Sequence, residues 1–121
     1  MVKALFDTNV LVDYLNAVPQ ARAELERYDE KAISIITWME VMVGAGPGLE
    51  AATQHFLGSF AIFAVDDRVA ERAVAIRRSR RIKLPDAVIW ATAQVNALIL
   101  VTRNIKDFPE KDPGIRAPYR L

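Results

Sequence analysis

Four short apolar runs, rich in β-branched residues, alternate along the chain with stretches whose apolar positions recur at helical spacing. VKALF (2–6), Ala32-Ile33-Ser34-Ile35-Ile36, AIFAV (61–65) and Leu98-Ile99-Leu100-Val101-Thr102 read as strands. Each is nearly continuous in apolar character rather than alternating, the pattern of strands covered on both faces. A helix is expected from the end of the first run to about residue 15, and Pro19 suits the first turn of a second. Thr37 is expected to open a third helix that breaks at Gly44–Gly48, and LEAATQHFLGSF to form a fourth. RVAERAVAIRRSRR makes a fifth, capped by Asp66 or Asp67, and Pro85 starts a sixth that is apolar almost all round and therefore buried. The tail GIRAPYRL supplies a short edge strand. This alternation predicts an α/β three-layer sandwich, a parallel sheet of four or five strands between helical layers. With no repeat or linker in view, residues 1–121 read as one domain.

Composition narrows the chemistry. There is no cysteine and a single histidine, His55, so disulfides, thiolate ligation, a His-rich zinc site and a His-based triad are all excluded. Any metal must be held by oxygen. MVKALFDTN lacks the apolar core of a signal peptide, and AVIWATAQVNALILV is too short and too polar to span a membrane, so a soluble cytoplasmic protein is expected. Net charge is only +1, but Arg77, Arg78, Arg80, Arg81 and Lys83 hold five of the sixteen basic residues, which hints at an anionic partner. The same cluster also suits the C-terminal end of a helix dipole.

Four acids stand in or beside apolar segments, where a lone carboxylate is costly: Asp7, Glu40, Asp86 and Asp107. Each has an ordinary explanation. Asp7 can cap the first helix, Asp86 lies in a first helical turn, and Asp107 sits in a loop. Thr37-Trp38-Met39-Glu40 fits a capping box, with Ile36 and Val41 as its hydrophobic staple. The expected topology nevertheless gathers all four at one rim. Asp7, Glu40 and Asp107 follow strand ends, and Asp86 heads a helix antiparallel to the fourth strand. Ligands of parallel α/β sheets bind outside the carboxyl ends of the strands. Crowded carboxylates there call for a hard cation, Mg²⁺ or Mn²⁺, and phosphodiester hydrolysis is the chemistry such a site serves. Thr8, Asn9, Thr102 and Asn104 lie at the same strand ends, where they either orient ligands or waters or serve ordinary turn and cap chemistry, the latter fitting Thr8 better than Asn104. Arg103 and Lys106 flank the fourth acid, either as contacts for substrate phosphates or as residues of a solvated loop.

Together DTNVLVDYL, IS-x-x-T-x-x-E followed by Gly44, IKLPDAVIWATA and LVTRNIKDF resemble a PIN-domain nuclease. The small size and the ending PGIRAPYRL resemble the VapC toxins of VapBC toxin–antitoxin pairs, the group that includes FitB-like proteins. The resemblance implies a Mg²⁺- or Mn²⁺-dependent endoribonuclease in which Asp7, Glu40, Asp86 and Asp107 match the acidic quartet. Asp7 and Asp86 would be the principal ligands, and Glu40 and Asp107 would act directly or through water. It further implies an RNA substrate, a homodimer, and a VapB-type antitoxin that wraps the toxin in a larger complex. Arg81 and its basic neighbours then become candidates for contacting RNA. Trp38, Met39, Met42 and Val43 are either core residues or an apolar surface for a partner.

Two rivals are weighed against this. A Mg-binding receiver-like signalling domain has similar length, but it wants adjacent acids where Asp7 is followed by Thr8 and Asn9, and Asp66 would have to accept the phosphoryl group. A non-catalytic protein-binding module would use the acids only to satisfy helix ends.

Overall fold

The structure, a computed structural model, describes residues 3–121; Val2, assigned above to the first strand, lies outside them. Strands β1 (Ala4–Phe6), β2 (Lys31–Ser34), β3 (Ala61–Phe63), β4 (Ile99–Val101) and β5 (Ile115–Arg116) form one sheet in the order β3-β2-β1-β4-β5. Every pairing is parallel. The helices are α1 (Thr8–Leu15), α2 (Pro19–Glu26), α3 (Ile35–Val43), α4 (Glu50–Leu57), α5 (Asp67–Ser79) and α6 (Leu84–Val95). A receiver domain carries the order 2-1-3-4-5. Here β3 lies at the edge beyond β2, and Asp66 is spent on capping α5 through Val69 N at 2.9 Å. The receiver-like alternative is excluded on topology.

Alternate strand residues feed two cores, because successive side chains of a strand point to opposite faces. Leu5, Leu100 and Ile115 pack with Val69, Ala73 and Ile76 of α5 and Ala87, Ile89 and Trp90 of α6. Ala4, Phe6, Ile33 and Val101 pack on the other face with Val10 and Leu11 of α1, Leu25 of α2, Val41 of α3 and Leu57 of α4. The three layers expected from the sequence are present. The exception to full coverage is β3, an edge strand whose Ala61 and Ile62 are exposed.

One boundary differs in a way that matters. The β-branched run 32–36 is not all strand: β2 stops at Ser34, whose hydroxyl accepts from Ile36 N at 3.1 Å and caps α3. The helix therefore opens at Ile35, two residues before Thr37, and Thr37–Glu40 is no capping box. Thr37 is instead buried inside the helix, one turn before Glu40 on the same face. Of the residues weighed as an apolar surface, Trp38 and Met42 pack against the core, while Met39 and Val43 are exposed.

Candidate functional site

Asp7 ends β1 and caps α1. Its amide continues the sheet by donating to Val101 O at 2.9 Å, and Thr8 N donates to its Oδ1 at 2.8 Å. The other oxygen, Oδ2, accepts from Thr102 Oγ1 at 2.7 Å and from Asn9 Nδ2 at 3.1 Å. Only 4% of Asp7 is exposed. The carboxylate is thus fixed by donors from the start of α1 and from the residue that follows β4. The capping and site roles weighed separately in the sequence coexist in one side chain.

The remaining acids are held by similar short links. Thr8 Oγ1 donates to Glu40 Oε1 at 2.6 Å and lies 3.1 Å from Thr37 Oγ1, joining α1 to α3. Asn104 Nδ2 donates to Asp107 Oδ2 at 3.0 Å, and Asn104 N donates to Thr102 Oγ1 at 3.0 Å. Asp86 lies in the first turn of α6, half-buried, with Lys83 just before the helix. Thr8, for which cap chemistry is the favoured of two expectations, is therefore the residue that ties Glu40 to the rim.

Electrostatics link the four acids. Burial pushes the Asp7 carboxyl up to about 6 against the pull of the Thr102 hydroxyl and Thr8 amide, and the charges of Asp86 and Glu40 add to the rise. Burial likewise raises Asp86, with Asp107 and Glu40 contributing and Lys83 opposing. Each acid of the quartet therefore lies within electrostatic reach of at least one other. The convergence is looser than the sequence suggested: among the described residues, no three Asp, Glu or His side chains are drawn into a ready metal cage. Glu40 is turned to Thr8 and Asp107 to Asn104, which accounts for the wider spacing. A Mg²⁺ site tolerates this, because the ion keeps several waters and needs only one or two direct carboxylates. The donor set, all oxygen and electron-rich, fits such an ion.

Two further buried acids escaped the sequence reading. Asp13 receives a forked pair from Arg103 (Nε to Oδ2 at 2.8 Å, Nη2 to Oδ1 at 3.1 Å), and Tyr119 Oη donates to it at 2.8 Å. Glu24 is held by Arg116 (2.6 and 2.9 Å) and by Tyr28 Oη at 3.0 Å. Arg103, placed above as a possible phosphate contact, is committed to Asp13, although its amide still braces Asn9 Oδ1 at 3.2 Å. Lys106 remains exposed beside Asn9 and Asn104 around an open cleft of about 400 Å³. The basic run 77–83 is exposed except for Ile82. His55 is exposed on α4, away from these contacts.

A parallel sheet in the order 3-2-1-4-5 between two helical layers, with four acids along its carboxyl rim, defines the class of α/β protein to which the chain belongs. Residues 4–112 match the PIN domain model, and the chain belongs to the PIN-domain family. It is 34% identical over 113 residues to Ribonuclease VapC10 of Mycobacterium tuberculosis, covering 87% of this chain and 85% of that protein. Among solved structures it is similar to a chain of a toxin–antitoxin complex from Klebsiella pneumoniae, with 48% identity, TM-score 0.93, and coverage of 98% and 99% of the two chains. A chain of FitAcB from Neisseria gonorrhoeae aligns at 26% identity, TM-score 0.80, over 98% and 99%. No helix among the described residues is long and apolar enough to cross a membrane.

Proposed function

We propose that this chain is a VapC-type toxin: a single-domain, Mg²⁺- or Mn²⁺-dependent endoribonuclease that hydrolyses RNA phosphodiester bonds and is silenced by a cognate VapB-type antitoxin. The observation that carries the reading is Asp7, buried yet facing the charges of two further acids, a strained arrangement that a hard cation relieves. The relatives agree with it, since one is a ribonuclease and others are toxin–antitoxin complexes.

Asp7 and Asp86 would be the principal ligands, with Glu40 and Asp107 completing the coordination directly or through water. When bound, the metal supplies Lewis-acid polarisation of the phosphate and lowers the pKa of a water. The protein's part is orientation. Thr102 and Asn9 fix one Asp7 oxygen and the Thr8 amide fixes the other, so the ligand does not have to be ordered on binding. Thr8 positions Glu40 and Asn104 positions Asp107. Action in the cytoplasm, as a homodimer that the antitoxin gathers into a larger complex, belongs to the same reading.

A non-catalytic binding module remains the competing account, and it gives the shared charge at the rim no purpose. The purified chain with Mn²⁺ should cleave RNA, stop on addition of a chelator, and lose at least about a hundredfold in rate in Asp86→Asn. Cleavage that persists in the chelator, or at full rate in Asp86→Asn, would refute the assignment.

A further inference from the structure

The basic run at the C-terminal end of α5 is only partly used by the fold. Arg77, Arg78, Arg80, Arg81 and Lys83 are all exposed, and none makes an ion pair among the described residues. By contrast Arg22, Arg27, Arg68, Arg103, Arg116 and Arg120 each pair with an acid. The helix dipole accounts for Arg77 and Arg78 in the last turn of α5, but Arg80, Arg81 and Lys83 lie beyond its final residue, Ser79. Arg80 is turned aside, its guanidinium 4.9 Å from the Trp90 ring, in a cation–π contact that pins the connection to α6.

That leaves Arg77, Arg81 and Lys83, which together with Ile82 line an open groove of about 420 Å³. The groove and the acids are linked by Lys83, which lines the one, directly precedes α6, and acts by its charge on Asp86 in the first turn of that helix. Five like charges held at one end of a helix without an ion-pair partner repel one another. An occupant carrying regularly spaced negative charges relieves that repulsion.

We infer that the Arg77–Arg81–Lys83 groove is the entry track for the RNA phosphate backbone, holding the strand so that it passes from the groove onto the acidic rim at Asp86. This rests on the ribonuclease reading and adds to it a location for the substrate. Phosphates bound there contact side-chain tips and not base edges, so the track contributes affinity without sequence preference.

The test is the salt dependence of binding to a short fluorescein-labelled single-stranded RNA, in an Asp7→Asn background so that the strand stays intact. Arg77→Gln with Arg81→Gln should weaken binding about fivefold per cation near 0.1 M salt and reduce the slope of log affinity against log salt by about 0.7 per cation. Arg22→Gln with Arg68→Gln removes the same net charge elsewhere and should leave affinity within about twofold. Unchanged affinity and slope in the Arg77/Arg81 variant would overturn the inference, and the run would then serve a different anion, such as an acidic protein segment. Equal loss in the two double variants would overturn it as well, reducing the effect to net charge. A wild-type chain that neither binds nor cleaves RNA would instead bring down the ribonuclease reading, so the two failures are distinct.

Discussion

At the scale of single residues, Thr102 shows how much of the site is carried by groups that are not acids. It is fully buried, donates to Asp7 Oδ2 at 2.7 Å, and accepts from Asn104 N at 3.0 Å, so one hydroxyl orients Asp7 and the turn that bears Asp107. Thr102→Val keeps the shape and removes both links. It should lower RNA cleavage by about tenfold or more, through weaker metal affinity, and part of the loss should return at high Mn²⁺. Full activity at low Mn²⁺ would mean that Thr102 only packs. Asp7, Asp86, Asp107, Asn9, Thr102 and Asn104 were legible in the sequence because they sit at strand ends or a helix start. Asp13 and Glu24 were not, because their partners Arg103 and Arg116 are about ninety residues away in the chain, and only the sheet brings them together. An acid inside a short helix gives no local sign of a distant guanidinium.

At the scale of elements, helix ends decide where the site residues fall. Both α1 and α6 finish in a Schellman motif: Val18 N donates to Asp13 O at 3.0 Å and Leu98 N to Ala93 O at 2.8 Å. The left-handed position is filled by alanine in each, Ala17 at φ 62° and Ala97 at φ 55°, where glycine is the usual occupant. Ala97→Gly should therefore stabilise the fold by about 0.5–1 kcal/mol in urea unfolding, the relief of backbone strain exceeding the entropy that glycine adds to the unfolded chain. A lower unfolding midpoint would show that the Ala97 methyl contributes packing instead. The same physics explains the misplaced start of α3. Ile35 and Ile36 extend a β-branched run, and periodicity cannot mark the end of a strand when strand and following helix are both apolar. The Ser34 side chain stops the strand, and serine reads equally well as a strand residue or a cap. That two-residue shift brings Thr37 within 3.1 Å of Thr8, a contact that the capping-box reading hid.

At the scale of the molecule, the sheet was recoverable because buried parallel strands leave long apolar runs in sequence, and the acids' positions at strand ends then located the rim. Strand order was not recoverable, since a run such as AIFAV does not say which neighbour it joins. The five-stranded sheet is closed at its β5 edge by the Arg116–Glu24 pair, which ties β5 to α2. Burial pushes the Glu24 carboxyl up, but the Arg116 and Tyr28 hydrogen bonds outweigh it and hold the group below its ordinary value of 4.5. A carboxyl depressed in the folded state contributes stability that is present above its unfolded pKa and disappears as pH falls through the folded value. Glu24→Gln should thus cost about 2 kcal/mol at neutral pH and flatten the acid limb of the stability curve below about pH 4.5. An unchanged acid limb would remove Glu24 from that role.

The central claim is that the four acids of the carboxyl rim form one cation site for RNA cleavage, with Asp7 at its heart. The most direct measurement is a paired one on wild type and Asp7→Asn: Mn²⁺ binding by isothermal titration calorimetry, and RNA cleavage in the same buffer. Replacing a buried carboxylate by its neutral isostere keeps the size of the side chain and removes its charge while giving up one acceptor oxygen, so the variant should stay folded while losing both Mn²⁺ binding and cleavage. A folded Asp7→Asn protein that binds Mn²⁺ and cuts RNA as the wild type does would contradict the account.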